Sequence, residues 1–253
     1  LIMEIIRDNT GPVNQHVTII APRGMGKTML VHRLALEVKN DDTLNQNCYT
    51  VVLPEELYAV ASQGELWLTV LWQISNQEKE NDKYRMQKKY DTLQTEQNER
   101  TLKVQALAAL SEFAGQKKLL IIVENLQMLL GEQSSDDNAW DLRQTLMNNP
   151  EIMLVTTATT HFGEILHPEK ANFELFREIV LSPLNTSDCR ALWQTITGEN
   201  LEDDRIRPIE ILTGGSPRLL AILADFAIGK TLKELLDNLV VLIDDHTTYF
   251  KAN

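Results

Sequence analysis

The chain has 253 residues, 43% apolar and 24% charged, an ordinary globular balance that excludes disordered, collagen-like and disulfide-stapled classes. Its 24 Lys and Arg stand against 36 Asp and Glu, and the resulting −12 sets the field of the whole molecule against polyphosphate. Non-specific nucleic-acid binding is therefore not expected of this segment; any nucleic-acid contact would come from parts outside it.

Two distant cysteines, Cys48 and Cys189, match neither a disulfide framework nor a zinc spacing, and they read as packing residues in a reducing setting. The longest apolar runs, such as Leu119 to Val123 and Leu239 to Ile243, fall far short of the ~20 residues a membrane helix needs. A soluble, cytoplasmic chain without membrane contact is expected. It opens at Leu1 with no initiator Met and no leader, so it reads as a segment of a longer polypeptide.

In chain order, His16 to Ile20 is a β-rich run that flows into Ala21-Pro22-Arg23-Gly24-Met25-Gly26-Lys27-Thr28, after which Met29, Leu30, Leu34 and Val38 fall at helical spacing. Cys48 to Leu53 is a second strand, stopped by Pro54. The following segment, 54–118, is too long for a structureless connection and must carry helices. An apolar helix through Leu66, Leu68, Val70, Leu71 and Ile74 comes first, with Trp67 and Trp72. Glu78 to Arg100 is expected to be a solvated, projecting helix, and a buried stripe resumes at Leu102, Ala106, Ala109, Leu110 and Phe113 until Gly115.

Leu119 to Val123 is a third strand, ending in Glu124-Asn125. Gly131 to Asn138 reads as a polar loop, and a helix runs through Trp140, Leu142, Leu146 and Met147. Ile152 to Thr156 is a fourth strand, and Ile179 to Leu181 a fifth. Continuous apolar strands separated by helices predict a parallel sheet covered on both faces. Beyond Pro183 only helical patterns remain: Thr186 to Ile196, Ile206 to Leu212, and Arg218 to Ile228, opened by Ser216-Pro217 and closed by Gly229. A last helix repeats Leu232, Leu235, Leu236 and Leu239, which completes a small helical lid.

The chemistry concentrates in two places. The loop Ala21 to Thr28 fits the Walker A pattern at every position but the first, where Ala21 replaces Gly. Gly24 and Gly26 let backbone N–H groups turn inward around phosphate, and the following helix aims its positive end there. Pro22, Arg23, Met25 and Met29 frame the site, Lys27 is placed to reach the phosphate oxygens, and Thr28 to ligate Mg2+. ATP with Mg2+ is the expected cofactor.

At the end of the third strand Glu124 can take the metal role of a Walker B acid. Asn125 stands where a carboxylate would polarise water, and an amide has no basic site near neutral pH. Hydrolysis is expected to be slow or partner-dependent.

The APRGMGKT loop, the LLIIVEN strand and the TGGSPRLL segment (Thr213 to Leu220) together resemble the AAA+ ATPases of the origin-recognition type and the bordering STAND-type signalling NTPases. The resemblance implies an α/β, three-layer P-loop NTPase fold of the AAA+ type. It would have a five-stranded parallel sheet in residues 1–183 and an all-helical lid in residues 184–253. It also implies a polar sensor at Thr157, with Thr156 or Thr159 as alternatives, and a lid arginine at Arg218 placed over the phosphates. Arg177 is either an arginine finger acting in a neighbouring subunit or a solvated helix-end residue.

Two function classes follow. One is an ATP-binding switch whose lid closes through Arg218 and promotes self-association or engagement of a protein partner. The other is an active ATPase regulator or loader on DNA. A small-molecule kinase is disfavoured, because a helical lid and a long polar excursion occupy the chain a substrate pocket would need. His161, Glu164 and His167 lack zinc-helix spacing, and Lys83, Arg85, Lys88 and Lys89 read as a solvated helix face.

Overall fold

In the computed structural model the structure describes residues 1–9, 14–53, 62–77, 80–127, 136–161, 165 and 167–228. Pro54, Glu78, Gly131, Glu164, Gly229 and the leucines at 232, 235, 236 and 239, which the sequence singled out, lie outside these. The chain divides into two compact units. The first is built from Leu1–Ile20 and Thr28–Ile179, and the second from Ala21–Lys27 together with the chain from Val180.

The first unit carries helix α1 (Ile2–Asp8), strand β1 (His16–Ile20), α2 (Lys27–Asn40), α3 (Asp42–Asn47) and β2 (Cys48–Val52). Then come α4 (Gln63–Gln77), α5 (Glu80–Leu93), α6 (Glu99–Ala114), β3 (Lys118–Val123), α7 (Asp136–Asn148), β4 (Ile152–Ala158) and β5 (Phe176–Val180). The five-stranded parallel sheet expected from the sequence is present, in the order β2-β3-β4-β1-β5. Every residue of β1 and β4 is buried, as in β3 after Lys118, and the apolar majority of these strands follows from that cover on both faces.

Register fixes what the strand ends present. Val123 of β3 lies beside Thr156 of β4, and Ile19 of β1 lies beside Thr157. The residues that follow β3 thus emerge next to the last residues of β4, at the carboxyl edge where parallel α/β sheets bind ligands.

Four expectations change. α5 is not a projecting helix: Met86 and Leu93 are buried, and it packs against α4 within the same apolar core. Those two side chains, on an otherwise mostly polar helix of about four turns, supply enough apolar surface to dock it. α7 begins at Asp136, so residues 136–138 are helix rather than loop. The fifth strand begins at Phe176, earlier than the apolar run Ile179 to Leu181 suggests. It is an edge strand in which only Phe176 is buried, so its hydrophobic signal is weak. Arg177 accordingly lies within β5, exposed, and not on a helix end.

In the second unit α8 (Thr186–Thr197), α9 (Asp203–Thr213) and α10 (Pro217–Ala227) enclose a separate core of Cys189, Trp193, Leu201, Ile206, Ile209, Leu220, Leu223 and Ala224. Between α9 and α10, Gly215 has φ +69, and a Cβ there would meet the Leu184 carbonyl at 2.5 Å. Only glycine fits this crossing, and the Leu184 N–H donates to the Gly215 carbonyl at 2.9 Å. Ser216 then caps α10, its Oγ accepting from the Leu219 N–H, with Pro217 at the first helical position.

Candidate functional site

The phosphate loop follows β1 directly. Gly24 and Gly26 hold φ +82 and +84, left-handed values that side chains rarely adopt, and this conformation turns successive N–H groups toward one side. Lys27, 8% exposed, folds back along the loop: its Nζ donates to the carbonyls of Ala21 at 2.6 Å and Pro22 at 3.0 Å. The ammonium is thereby positioned by the loop's own backbone. Pro22 and Arg23 are exposed and Gly24, Met25 and Gly26 partly so, while Met29 is 75% exposed despite being apolar.

Within the loop's own unit, α10 meets this turn. The Arg218 N–H donates to the Gly24 carbonyl at 3.2 Å, which sets the backbone of Arg218 next to the loop. The Ser216 hydroxyl reaches the same carbonyl at 3.4 Å.

In the first unit, Thr28 and Glu124 come together from 96 residues apart: the Thr28 hydroxyl donates to Glu124 Oε2 at 2.6 Å. Glu124 is 4% exposed, at the end of a strand of buried aliphatics. A hydroxyl and a carboxylate side by side are the hard oxygen donors that Mg2+ takes, so these two residues fit the metal role assigned to them.

Asn125 adopts φ +56, a left-handed conformation that asparagine tolerates better than most residues. Its N–H donates to Thr157 Oγ1 at 3.1 Å, and Gln127 Nε2 donates to Thr159 Oγ1 at 3.2 Å. Two side-chain stitches thus join the segment after β3 to the end of β4. Thr157 is the residue tied to the Glu124-Asn125 turn, whereas the Thr156 hydroxyl is turned to the Val17 carbonyl. Gln127 carried no motif signal in the sequence, and only the strand register brings it to Thr159.

Other candidates lie elsewhere. Arg177 stands on the edge strand β5, and His161 is paired with Glu178 at 2.9 Å. Among the described residues no group of three His, Cys, Asp or Glu side chains could hold a metal ion. Arg85 and Lys89 pair with Glu112, in keeping with a solvated face. No helix among the described residues is long and apolar enough to cross a membrane.

Residues 13–166, more than half of the chain, match the AAA domain family. No curated protein matches the chain. Among solved structures it is similar to the Walker-type ATPase PABY2304 of Pyrococcus abyssi, with TM-score 0.55 and 15% identity, over 99% of this chain and 73% of that one. It is also similar to the Aeropyrum pernix ORC1 protein in complex with DNA, with TM-score 0.59 and 13% identity, over 96% of this chain and 65% of that one. The Aeropyrum pernix ORC2 protein, in ADPNP–ADP complexes, gives TM-score 0.59 and 13% identity over 92% of this chain and 64% of that one. The chain thus spans a little under two thirds of either ORC protein. It belongs to the AAA domain family, the P-loop AAA+ ATPases, and has an ORC-like fold.

Proposed function

We propose that the chain is an ATP-binding switch with slow or partner-dependent hydrolysis, controlling self-association or an effector carried elsewhere in a longer protein. Residues 1–183 form its nucleotide-binding core and residues 184–253 its lid. The observation that carries this reading is the Thr28–Glu124 hydrogen bond, which joins the Walker A and Walker B segments through oxygens suited to one divalent cation. When bound, Mg2+ would neutralise phosphate charge at these oxygens.

The chain's own residues do the rest. The loop N–H groups from Gly24 to Lys27 bind phosphate, and Lys27 adds a positive charge. Thr157, tied to the backbone of Asn125, reports on the turn after β3. Arg218, held beside Gly24 through its own N–H, connects phosphate occupancy to the lid helix α10. The Asn125 amide orients water but cannot take its proton, so turnover is slow. Arg177, exposed on an edge strand, is available to a second copy as an arginine finger.

A second reading, an ATPase regulator acting on DNA, draws support from the likeness to the ORC1 protein in complex with DNA. The charge of −12 places any such contact outside this segment. The test of the first reading is titration of the parent and of Lys27→Ala with a fluorescent ATP analogue and Mg2+. Losing one charge-assisted contact is expected to weaken binding about 50-fold. Equal affinity of the two proteins would sink the reading, and strong DNA-stimulated hydrolysis by the parent would favour the second.

A further inference from the structure

The Gly24 carbonyl has two donors, and both come from the start of α10. The Arg218 N–H reaches it at 3.2 Å and the Ser216 hydroxyl at 3.4 Å. The approach is close enough that a Cβ on Gly24 would sit 3.3 Å from Ser216 Oγ and 3.4 Å from Arg218 Cβ. Pro217 continues the contact, its Cγ lying 4.0 Å from where a Cβ on Gly26 would be. Ser216 has a double role that its hydroxyl can fill: a lone pair accepts from the Leu219 N–H while the proton is donated to Gly24.

Peptide geometry turns this contact into a statement about phosphate binding. The Gly24 carbonyl and the Met25 N–H belong to one planar unit, and no cis peptide bond occurs among the described residues, so the two groups point in opposite directions. Fixing the carbonyl toward α10 therefore fixes the Met25 N–H away from it. On its Gly24 side this peptide carries no side chain, so the donors that hold the carbonyl oxygen help to set its orientation.

We propose that Ser216 is a positioning residue of the phosphate loop: by holding the Gly24 carbonyl, it keeps the Met25 N–H turned to the phosphate side and slows nucleotide release. The inference rests on the nucleotide-binding reading and adds a specific regulator of it. Whatever displaces the start of α10 frees the Gly24–Met25 peptide, and the loop loses its pre-set anion geometry before any side chain of the site has moved.

The test separates this role from helix capping. Ser216→Gly keeps an acceptable N-cap but removes the hydroxyl, and Ser216→Thr keeps both. Release of a fluorescent ATP analogue, followed by stopped flow in the full chain, is expected to be about five-fold faster in Ser216→Gly, the size of one neutral hydrogen bond, and unchanged within about two-fold in Ser216→Thr. Parent-like release from Ser216→Gly overturns the proposal.

A second readout needs no nucleotide. Amide hydrogen exchange of the peptide covering Ala21–Lys27 is expected to rise several-fold in Ser216→Gly, with the melting temperature nearly unchanged. Unaltered exchange overturns the proposal as well. If the parent fails to bind the analogue, the nucleotide reading falls by itself, and the exchange measurement still decides whether Ser216 positions the loop.

Discussion

In the α/β unit the groups at the strand ends are side chains: the hydroxyls of Thr28, Thr157 and Thr159, the carboxylate of Glu124 and the amide of Gln127. In the second unit the corresponding groups are mostly backbone: the loop N–H groups, the carbonyls of Ala21 and Pro22 around Lys27, and the Gly24 carbonyl on α10. The difference matters because a side chain carries its chemistry wherever a rigid strand puts it. A peptide group is chemically the same in every residue and acquires a role only through its conformation and whatever holds it there. The first unit should thus be sensitive to residue identity, and the second to space and φ.

Acid should separate the two units most widely. His16, buried at the start of β1, accepts the Leu154 N–H on Nδ1 at 3.1 Å, which places its proton on Nε2. Burial first, and then the nearby charge of Lys118, push its pKa down to about 4, against about 6.5 in an unfolded chain. The folded state thus favours the neutral ring. The stabilisation is complete above pH 6.5 and is lost as pH falls toward 4, roughly 3 kcal/mol in all. Urea unfolding followed by Trp67 in the first core and Trp193 in the second, each as the sole tryptophan, should show the loss at Trp67 and a shallower slope after His16→Gln. Equal losses at both probes would break the comparison.

Gly24→Ala tests the backbone side. A Cβ at φ +82, against Ser216 and Arg218, is expected to cost about 2 kcal/mol, read as a lowered melting temperature together with weaker nucleotide binding. Glu124→Gln tests the side-chain side by keeping shape and removing charge. The gain in nucleotide affinity that Mg2+ confers is expected to shrink about ten-fold while affinity without Mg2+ holds, as two titrations would show.

The smallest effect is expected at Asn125→Glu. The left-handed backbone costs a longer side chain about 1 kcal/mol of stability, yet a carboxylate there can accept a proton, and turnover should rise. An unchanged or slower rate would mean that the amide is not what limits hydrolysis.

The elements legible in the sequence are those whose burial is complete. β1, β3 and β4 are covered on both faces and appear as mostly apolar, β-branched runs, and the Gly-Lys-Thr turn after β1 has few other uses. β5 begins before the short apolar run Ile179 to Leu181, because an edge strand with one buried residue needs few apolar side chains. α1 and α3, short helices of seven and six residues, gave no periodicity long enough to read. At the site, Glu124 was recognisable from its position after β3. The conformation of Asn125 was not, because residue identity suggests a turn without fixing its sign. The Ser216 cap was readable from Ser-Pro, whereas its second partner is 192 residues away, a distance no local pattern spans.

The order of the sheet has a consequence for how the protein is made. β1 leaves the ribosome first among the strands, yet its neighbours in the sheet are β4 and β5, the last two to emerge. β2 and β3 can pair with each other as soon as β3 is synthesised, while β1 must wait unpaired until Ile152–Ala158 has been made. The loop that follows β1 is consequently translated well before β4, the strand β1 pairs with. Through that interval β1, every residue of which is buried in the fold, remains without its strand partners, an exposure that long-range parallel pairing entails.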